Sequence, residues 1–248
     1  MSRLKDKVAV VTGASKGIGA SIAKALASEG ASVVVNYSSA RSGAEKVVAQ
    51  IRDLGGKAKA VQADVSKETD VQRLFEETNK AFGKLDVLVN NAGVYEFAPI
   101  ADFTEEQFRR MFDTNVLGVL LSSREAAKYF GDGGAIINIG SVVTQLTPPA
   151  SSVYTGTKAA VDAITRVLAK ELGPKRIRVN SINPGMVETE GAHAAGVIGS
   201  DFQKQAEAQT PLGRIGQPED IAPLAVFLAS QDSGWLTGEL VTAAGGMR

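Results

Sequence analysis

The chain has 248 residues, and its 27 lysines and arginines balance its 27 aspartates and glutamates. This zero net charge provides no basic excess with which to attract nucleic acid or an anionic membrane. The absence of cysteine excludes a disulfide framework, a thiolate nucleophile and a thiolate metal site.

No targeting or membrane segment is evident in the sequence. The N-terminal charges are not followed by an uncharged stretch with a small-residue cleavage site, and no apolar run approaches the length of a membrane span. We therefore expect a cytoplasmic protein that binds neither membrane nor nucleic acid. The only histidine, His193, has small neighbours typical of a loop, so we expect no metal site.

Short β-branched runs alternate with stretches whose apolar residues recur at helical spacing. The strand-like runs cover residues 7–11, 31–36, 57–63, 85–89, 135–139, 177–182 and 240–242. The helical stretches include residues 104–129, which begin with a capping-box pattern, 152–172 and 218–230. This alternation predicts an α/β fold with one doubly wound parallel sheet and helices on both faces.

The sequence indicates a single domain over residues 1–248, because no Pro-, Gly- or Ser-rich linker, repeat or low-complexity segment divides it. Only the segment 188–212 breaks the rhythm of strands and helices. It is rich in small and polar residues, and Phe202 is its only aromatic residue. Because long irregular insertions in compact domains often cover binding sites, we expect this segment to act as a substrate lid.

A glycine-rich turn, residues 12–19, connects the first strand to the first helix. Glycines here allow a tight turn and a close approach of the backbone to a pyrophosphate, whose charge suits the helix N-terminus. Many glycine-rich sequences are only turns, but the strand before and the helix after are the context that dinucleotide binding requires. The predicted cofactor contacts are Gly13, Ser15, Lys16, Gly17, Ile18 and Gly19.

The residues after the second strand bear on the choice of cofactor. An acidic residue there usually binds the ribose hydroxyls of NAD, but residues 36–39 contain no carboxylate. Lys16 and Arg41 can neutralise the 2′-phosphate of NADP, whereas Asn36 can equally bind a bare hydroxyl, so NAD stays possible. We expect NADP, held at this point by Asn36, Tyr37, Ser38 and Arg41.

Tyr154 and Lys158 stand four residues apart, so within a helix their side chains lie on one face. A phenol has a pKa of about 10, and an ammonium roughly 4 Å away can lower this value by about three units. Such a shift would bring Tyr154 toward the range that suits general acid–base catalysis. Ser141 follows a predicted strand and can reach the same point. Tyr–Lys pairs also occur on ordinary surface helices, so the pair alone does not establish catalysis.

Several motifs occur together and in order: the glycine turn, Asn-Asn-Ala-Gly at 90–93, Asn115, Ser141, the Tyr154–Lys158 pair and Pro-Gly at 184–185. This set resembles that of the short-chain dehydrogenase/reductase family, and the resemblance extends over residues 7–246. It implies a Rossmann-type fold and an NAD(P)-dependent enzyme that acts on a carbonyl or a secondary alcohol. One position departs from the pattern, because the family commonly has an aspartate where this chain has Ala244.

The resemblance also implies roles for these residues. Tyr154 would be the general acid for the carbonyl oxygen, Lys158 would lower the pKa of Tyr154 and bind the nicotinamide ribose, and Ser141 would hold the carbonyl oxygen. Asn115 would hold a water in a proton relay to Lys158. Further cofactor contacts would come from Asp64, Val65, Asn91, Ala92, Gly93, Pro184, Gly185, Val187 and Thr189. The family's usual homotetramer would pair the helices at 104–129 and 152–172.

The residues expected near the substrate are mainly apolar: Tyr95, Phe97, Val142, Val143, Gln145, Leu146 and Met186. They include no lysine or arginine that could bind a carboxylate or phosphate, so a neutral, fairly hydrophobic ketone or aldehyde fits best. We rank an NADPH-dependent carbonyl reductase first, with a 3-oxoacyl thioester reductase and a glucose 1-dehydrogenase as alternatives. A non-catalytic NADP-binding sensor on this fold would be expected to lose Tyr154, Lys158 or Ser141, and none is lost.

Overall fold

Seven strands form one fully parallel sheet in the computed structural model, which describes residues 2–247, and their order is β3-β2-β1-β4-β5-β6-β7. In the centre of the sheet, Val11 of the first strand pairs with Val35 on one side and Val89 on the other. The strands are β1 (Val8–Val11), β2 (Ser32–Tyr37), β3 (Lys57–Gln62), β4 (Leu85–Asn90), β5 (Phe130–Ile139), β6 (Ile177–Pro184) and β7 (Leu240–Ala243). The predicted strands are confirmed, and the largest difference is at β5, which begins at Phe130 rather than at residue 135.

Helices cover both faces of the sheet, which confirms the predicted α/β fold. They are α1 (Gly17–Ser28), α2 (Arg41–Asp53), α3 (Glu68–Phe82), α4 (Glu105–Phe112), α5 (Gly118–Ala126), α6 (Val143–Leu146), α7 (Ser152–Leu172), α8 (Glu190–Ala194), α9 (Asp201–Gln209) and α10 (Pro218–Ala229). The first, second and tenth helices pack on one face, while α3, α5 and α7 pack on the other. Within residues 2–247, none of the helices combines the length and the apolar character needed to cross a membrane.

The central strands are buried on both faces, which explains their continuous apolar runs. In β1, Ala9 and Val11 pack into the core beneath α1, α2 and α10, whereas Val10 packs into the opposite core. In β2, Val33 belongs to the first core and Val34 to the second. Each of these side chains is fully buried, and full burial of a valine contributes about 1.5–3 kcal/mol to the free energy of folding.

The order of the strands reverses between β1 and β4. From β1 the chain builds outward through β2 and β3, and it then returns to the centre and builds the other half from β4 to β7. Such a reversal leaves a crevice at the carboxyl ends of the two central strands, where ligands of open α/β sheets bind. A cleft of about 770 Å³ lies there, bordered by residues 13–19 and 91–95 among others.

The helix predicted for residues 104–129 is interrupted. Thr104 begins α4 with the predicted capping box: its hydroxyl accepts from the Gln107 amide at 3.2 Å, and the Gln107 side chain accepts from the Thr104 amide at 3.0 Å. A single π-helical turn, Asp113–Leu117, then separates α4 from α5. The buried Asn115 lies in this turn. Turns of this kind are frequent at functional sites.

The segment 188–212 contains two short helices where the sequence indicated irregular structure. Thr189 caps α8 by accepting a hydrogen bond from the Ala192 amide at 3.1 Å, and Ser200 caps α9. Each helix buries a single alanine, Ala192 in α8 and Ala206 in α9. The sequence therefore has no periodic apolar pattern that would indicate either helix. The movement of this segment as a lid stays a prediction.

Candidate active site

Tyr154, Lys158 and Ser141 lie together at the carboxyl edge of the sheet. Tyr154 is in the first turn of α7, and Lys158 follows one turn later. The buried Lys158 Nζ donates a hydrogen bond of 2.8 Å to the carbonyl of Ile139, the last residue of β5, and Ser141 comes two residues after it. The same Nζ lies 5.8 Å from the centre of the Tyr154 ring. The packing of α7 beside the end of β5 therefore assembles the three residues.

The electrostatics of Tyr154 differ from the expectation. Burial raises the pKa of Tyr154 to about 12, a hydrogen bond with the Ser141 hydroxyl opposes this rise, and the neighbouring Tyr95 adds to it. The family resemblance implies that Lys158 lowers the pKa of Tyr154, but the Lys158 ammonium donates its hydrogen bond to the Ile139 carbonyl. Tyr154 is therefore a protonated phenol at neutral pH, which is the form that a general acid requires.

Lys158 is also perturbed by its surroundings. Burial lowers the pKa of its ammonium to about 8, and the carboxylate of Asp162 opposes this shift. The side chain is only 7% exposed, so little water screens its charge. At neutral pH most of the Lys158 side chains carry a proton, and this charge can stabilise an anion that forms on Tyr154.

An aromatic wall, formed by Tyr95 and Phe97, borders the Tyr154 phenol. The ring centroids of Tyr95 and Phe97 lie 6.0 and 5.9 Å from that of Tyr154, and they lie 6.0 Å from each other. Tyr95 is 39% exposed and Phe97 is 52% exposed, so the wall offers apolar surface beside the phenol. Between them in sequence, Glu96 forms an ion pair with Arg110 of α4, so the charge on this loop is neutralised.

The glycine turn has the geometry that a close backbone approach requires. Gly13 and Gly17 have φ values of +60° and +56°, which residues with a side chain rarely adopt. At Gly19 a Cβ atom would lie 2.4 Å from Nδ2 of Asn91, so only glycine fits. The same Nδ2 donates to the carbonyls of Thr12 and Gly13 at 2.9 and 3.0 Å. The turn is held in place at the N-terminus of α1, and it fits the pyrophosphate of a dinucleotide.

Most of the predicted cofactor residues line the cleft: Gly13, Ser15, Lys16, Gly17, Ile18, Gly19, Asn36, Ser38, Asp64, Val65, Asn91, Ala92, Gly93 and Thr189. Tyr154 and Lys158 adjoin it, because the Tyr154 ring contacts Tyr95 of the cleft and Lys158 lies beside Gly93. The predicted residues that do not line it are Tyr37, Arg41, Pro184, Gly185 and Val187.

The cleft also contains several residues that were not predicted from the sequence: Ser39, Ala40, Ala63, Ser66, Val94, Arg110, Asp113, Thr114 and Gly191. Ser39 and Ala40 directly follow the predicted contact Ser38, so their position in the sequence could have indicated them. No local sequence pattern indicates that Arg110 and Asp113 border the cleft, because only tertiary packing brings the end of α4 to it.

The Pro-Gly turn at residues 184–185 lies beside Ser141 rather than in the cleft. The amide that follows Ser141 donates to the Pro184 carbonyl at 2.9 Å, and the Gly185 amide donates to the Ala243 carbonyl at 3.0 Å. A Cβ atom at Gly185 would lie 2.9 Å from the Cβ of Ala244. Ala244, at the position where the family commonly has aspartate, therefore packs closely against this turn.

The predicted cofactor contact of the Asn36 side chain needs correction. Asn36 is only 1% exposed. Its Oδ1 accepts a hydrogen bond from the Gly13 amide at 3.1 Å, and its Nδ2 donates to the carbonyls of Val61 and Ala63 at 3.2 and 3.1 Å. The side chain therefore joins β2, the end of β3 and the glycine turn, and it has no free group for a ribose.

Two other residues expected at the adenosine ribose are also placed differently. Arg41 forms an ion pair with Glu45 on the exposed surface of α2, with 2.7 Å between Nε and Oε1. Tyr37 packs against the core beneath α1, α2 and α10. Lys16 and Ser38 both line the cleft and are exposed, so they are the better candidates for a 2′-phosphate.

We predict that Asn36→Asp destabilises the protein instead of changing its cofactor preference. The new carboxylate would face the carbonyls of Val61 and Ala63 without a donor, which should lower the free energy of unfolding by about 3 kcal/mol. Urea unfolding measures this loss. Ser38→Asp is the matched comparison: it should weaken NADPH about tenfold relative to NADH, by repulsion of the 2′-phosphate, at unchanged stability. A stable Asn36→Asp variant that prefers NADH would contradict this placement.

The Asn115 side chain is committed to protein partners. Its Oδ1 accepts from the Val94 amide at 2.8 Å, and its Nδ2 donates to the Val94 carbonyl at 2.8 Å and to Thr157 Oγ1 at 3.1 Å. Both amide hydrogens are used, so this side chain cannot donate to the water of the predicted relay. It instead fastens the loop before the aromatic wall to α7, since Thr157 Oγ1 donates to the Tyr154 carbonyl at 2.7 Å.

Glu190 competes with an anion at the start of α1. The Gly17 amide donates to Oε2 of Glu190 at 2.9 Å, although the helix N-terminus is where the pyrophosphate is expected. We predict that Glu190→Gln tightens NADPH binding about two- to fivefold, because a neutral amide is the weaker competitor. Fluorescence titration measures the affinity. Glu188→Gln, which changes a neighbouring carboxylate bound to His193 and Gln217, should leave it unchanged; equal effects of both variants would refute the competition.

Comparison with known proteins shows the family and the fold of this chain. A family model described as enoyl-(acyl carrier protein) reductase matches residues 13–248. An oxidoreductase of Methylorubrum extorquens is 60% identical over the whole of both chains, and the tetrahydroxynaphthalene reductase of Pyricularia oryzae is 40% identical over 98% of this chain and 90% of its own. A short-chain dehydrogenase of Burkholderia cenocepacia, solved in complex with NADP, superimposes with a TM-score of 0.93 at 35% identity and covers 99% of each chain.

These matches span nearly the entire sequence, and the fold agrees with them. The relatives and structural neighbours are named as oxidoreductases, dehydrogenases and reductases, and one of the structures contains NADP. The chain therefore belongs to the short-chain dehydrogenase/reductase family and is an NAD(P)-dependent oxidoreductase.

Proposed function

We propose that the protein uses NADPH to reduce a neutral, hydrophobic ketone or aldehyde, with aryl ketones as the preferred class. The observation that carries this proposal is the uncharged surface around the Tyr154 phenol, where the aromatic wall of Tyr95 and Phe97 is partly exposed. A flat aromatic ring can pack on such a wall, and aromatic pairs contribute about 0.5–1.5 kcal/mol beyond the area they bury.

The residues of the site fit acid catalysis of carbonyl reduction. When bound, NADPH supplies the hydride that adds to the carbonyl carbon. Ser141 and Tyr154 would donate hydrogen bonds to the carbonyl oxygen, where negative charge develops. As the carbon–oxygen π bond opens, the O–H bond of Tyr154 breaks and its proton goes to that oxygen, which leaves a phenolate. The Lys158 ammonium would stabilise this anion from its buried position. The oxidation of an alcohol follows the same steps in reverse.

Two features support NADPH rather than NADH. Lys16 at the start of α1 and Ser38 after β2 both line the cleft, and no carboxylate stands between residues 36 and 40 to repel a 2′-phosphate. The Burkholderia cenocepacia relative was solved with NADP. The Pyricularia oryzae relative is named for reduction of a fused aromatic compound, which supports the aromatic substrate class.

A second candidate is the reduction of a 3-oxoacyl thioester, because the description of the family model names a reductase of another acyl thioester, the enoyl form. Initial rates of NADPH and NADH oxidation should be compared for aryl ketones, β-keto esters, 3-oxoacyl thioesters and glucono-lactone. We expect the fastest turnover with NADPH and aryl ketones. Turnover confined to the thioesters would replace our proposal with the second candidate. Cofactor binding without turnover of any substrate would indicate a sensor.

We also propose a cytoplasmic homotetramer. Phe108 of α4, Leu120 of α5 and Val167 of α7 are each between 41% and 52% exposed, on the helices expected to pair. Exposed apolar side chains of this kind favour burial against another copy. Light scattering would give the mass in solution, and a value equal to the 25.9 kDa of one chain would refute the tetramer.

A further inference from the structure

Asp162 is a buried carboxylate that the proposed mechanism does not yet use. It stands four residues after Lys158 on α7, so the two side chains lie on the same face, one turn apart. Asp162 is 8% exposed and Lys158 is 7% exposed. Burial of a charge is costly unless an opposite charge or several hydrogen bonds compensate for it. A buried acid next to a buried lysine therefore requires an explanation.

The contacts of Asp162 hold it at one position. Its Oδ1 accepts a hydrogen bond of 3.0 Å from Nδ2 of Asn183 on β6. The Oδ1 of Asn183 in turn accepts from the Ser181 hydroxyl of the same strand at 2.7 Å, and that hydroxyl also lies 3.1 Å from the Asn138 carbonyl of β5. This chain of hydrogen bonds anchors the carboxylate to β6, on the side of α7 that carries Lys158. Within residues 2–247, no lysine or arginine forms a close ion pair with Asp162.

We propose that Asp162 is a positioning residue for catalysis: its buried negative charge keeps Lys158 protonated, and thus able to stabilise the Tyr154 phenolate. This inference deepens the proposed function, because it assigns the source of the positive charge on which proton transfer depends. It differs from a structural role, in which Asp162 would only tie α7 to β6. The charge matters in the first case and the hydrogen bond matters in the second.

The other groups that face Lys158 do not supply a negative charge. From β5 it meets the Ile139 carbonyl, and from the loop after β4 it meets Gly93, with the Asn115 amide just behind. The titratable group on its own helix is Tyr154, which is protonated at neutral pH. Among the described residues, Asp162 is the one charged side chain that raises the pKa of Lys158, against the larger effect of burial.

The direction of the pH effect follows from these charges. Burial lowers the pKa of Lys158 to about 8 even with Asp162 present. Removal of the Asp162 charge should lower it further, so Lys158 would lose its proton at a lower pH. Ketone reduction requires the protonated lysine. The alkaline limb of the pH profile, where kcat/KM falls as pH rises, should therefore move to a lower pH by about one unit or more. At pH values well below this limb, the rate should change little.

Asp162→Asn tests the proposal, because asparagine keeps an oxygen that accepts from Asn183 and removes only the charge. We expect its alkaline limb to shift down by about one pH unit, with a melting temperature close to that of the unchanged protein. Asp162→Glu should restore the limb. The second readout is independent of turnover: the Lys158 side-chain NMR signal in protein with isotope-labelled lysine, assigned by its loss in Lys158→Ala, should titrate at a lower pH in Asp162→Asn.

Two control variants separate charge from structure. Asn183→Ala removes the hydrogen bond and keeps the carboxylate, so it should lower the melting temperature and leave the alkaline limb in place. Glu171→Gln removes an exposed charge from the same helix and should change neither. An unchanged Lys158 titration in a folded Asp162→Asn variant would overturn the proposal; if that variant does not fold, Asp162→Ser serves for the same titration. A shifted titration in a protein that reduces no ketone would refute only the proposed substrate.

Discussion

Replacement of Tyr154 by phenylalanine should lower the kcat for ketone reduction by about a thousandfold, and NADPH affinity should stay within about twofold. The variant removes the hydroxyl that donates a proton to the carbonyl oxygen but keeps the ring that packs on the aromatic wall of Tyr95 and Phe97. Stopped-flow and steady-state rates with an aryl ketone measure the loss, and fluorescence titration measures the affinity.

The matched control is Tyr129→Phe, which removes a phenol hydroxyl from a ring stacked on Phe75, on the α3 side of the sheet. It should keep full activity. If Tyr154→Phe retained more than about a tenth of the rate, another group would have to donate the proton, and the role of Tyr154 would be lost.

Lys158→Ala should lower kcat by about a hundredfold and weaken NADPH about tenfold, because the resemblance to the family places this ammonium on both the phenol and the nicotinamide ribose. It should also destabilise the fold by about 3 kcal/mol, since it removes a buried side chain that donates to the Ile139 carbonyl and it opens a cavity. Rates, titration and urea unfolding measure the three effects.

Two further variants clarify the Lys158 result. Lys158→Met fills most of the space, so a loss of rate that persists in it reports the missing charge rather than the cavity. Lys170→Ala removes an exposed lysine from the same helix and should be neutral. A loss of kcat in Lys158→Ala with normal NADPH affinity would contradict the ribose contact and leave only the effect on Tyr154.

The local pattern of the sequence was enough to predict the elements that form the site. The run Val8–Val11 followed by glycines predicted a buried strand and a phosphate-binding turn, and the structure places that turn at the N-terminus of α1. The spacing of Tyr154 and Lys158 predicted a shared helical face, and both residues lie on α7. Spacing along one helix or across one turn is a local property, so neighbouring residues are enough to indicate it.

The π turn at Asp113–Leu117 could not be predicted from the spacing of neighbouring residues. Apolar spacing continues through it from Met111 to Val119, so residues 104–129 resembled one helix. Within this interruption the Asn115 side chain makes three hydrogen bonds, to Val94 and Thr157. These partners are 21 and 42 residues away in sequence, and only the folded chain brings them together.

The sequence by itself determined the α/β class, the order of the elements, the glycine turn between β1 and α1 and the candidate catalytic side chains. Tertiary structure decided the electrostatics: it partly buried Tyr154 and raised its pKa to about 12, directed Lys158 to the Ile139 carbonyl and buried Asp162 one helical turn away. It also bound the polar atoms of the Asn36 side chain to Gly13, Val61 and Ala63, although this residue borders the cleft. The reason is physical. Residue type and spacing determine which groups can ionise or donate a hydrogen bond, whereas burial and residues distant in sequence determine the pKa of each group and its hydrogen-bond partner.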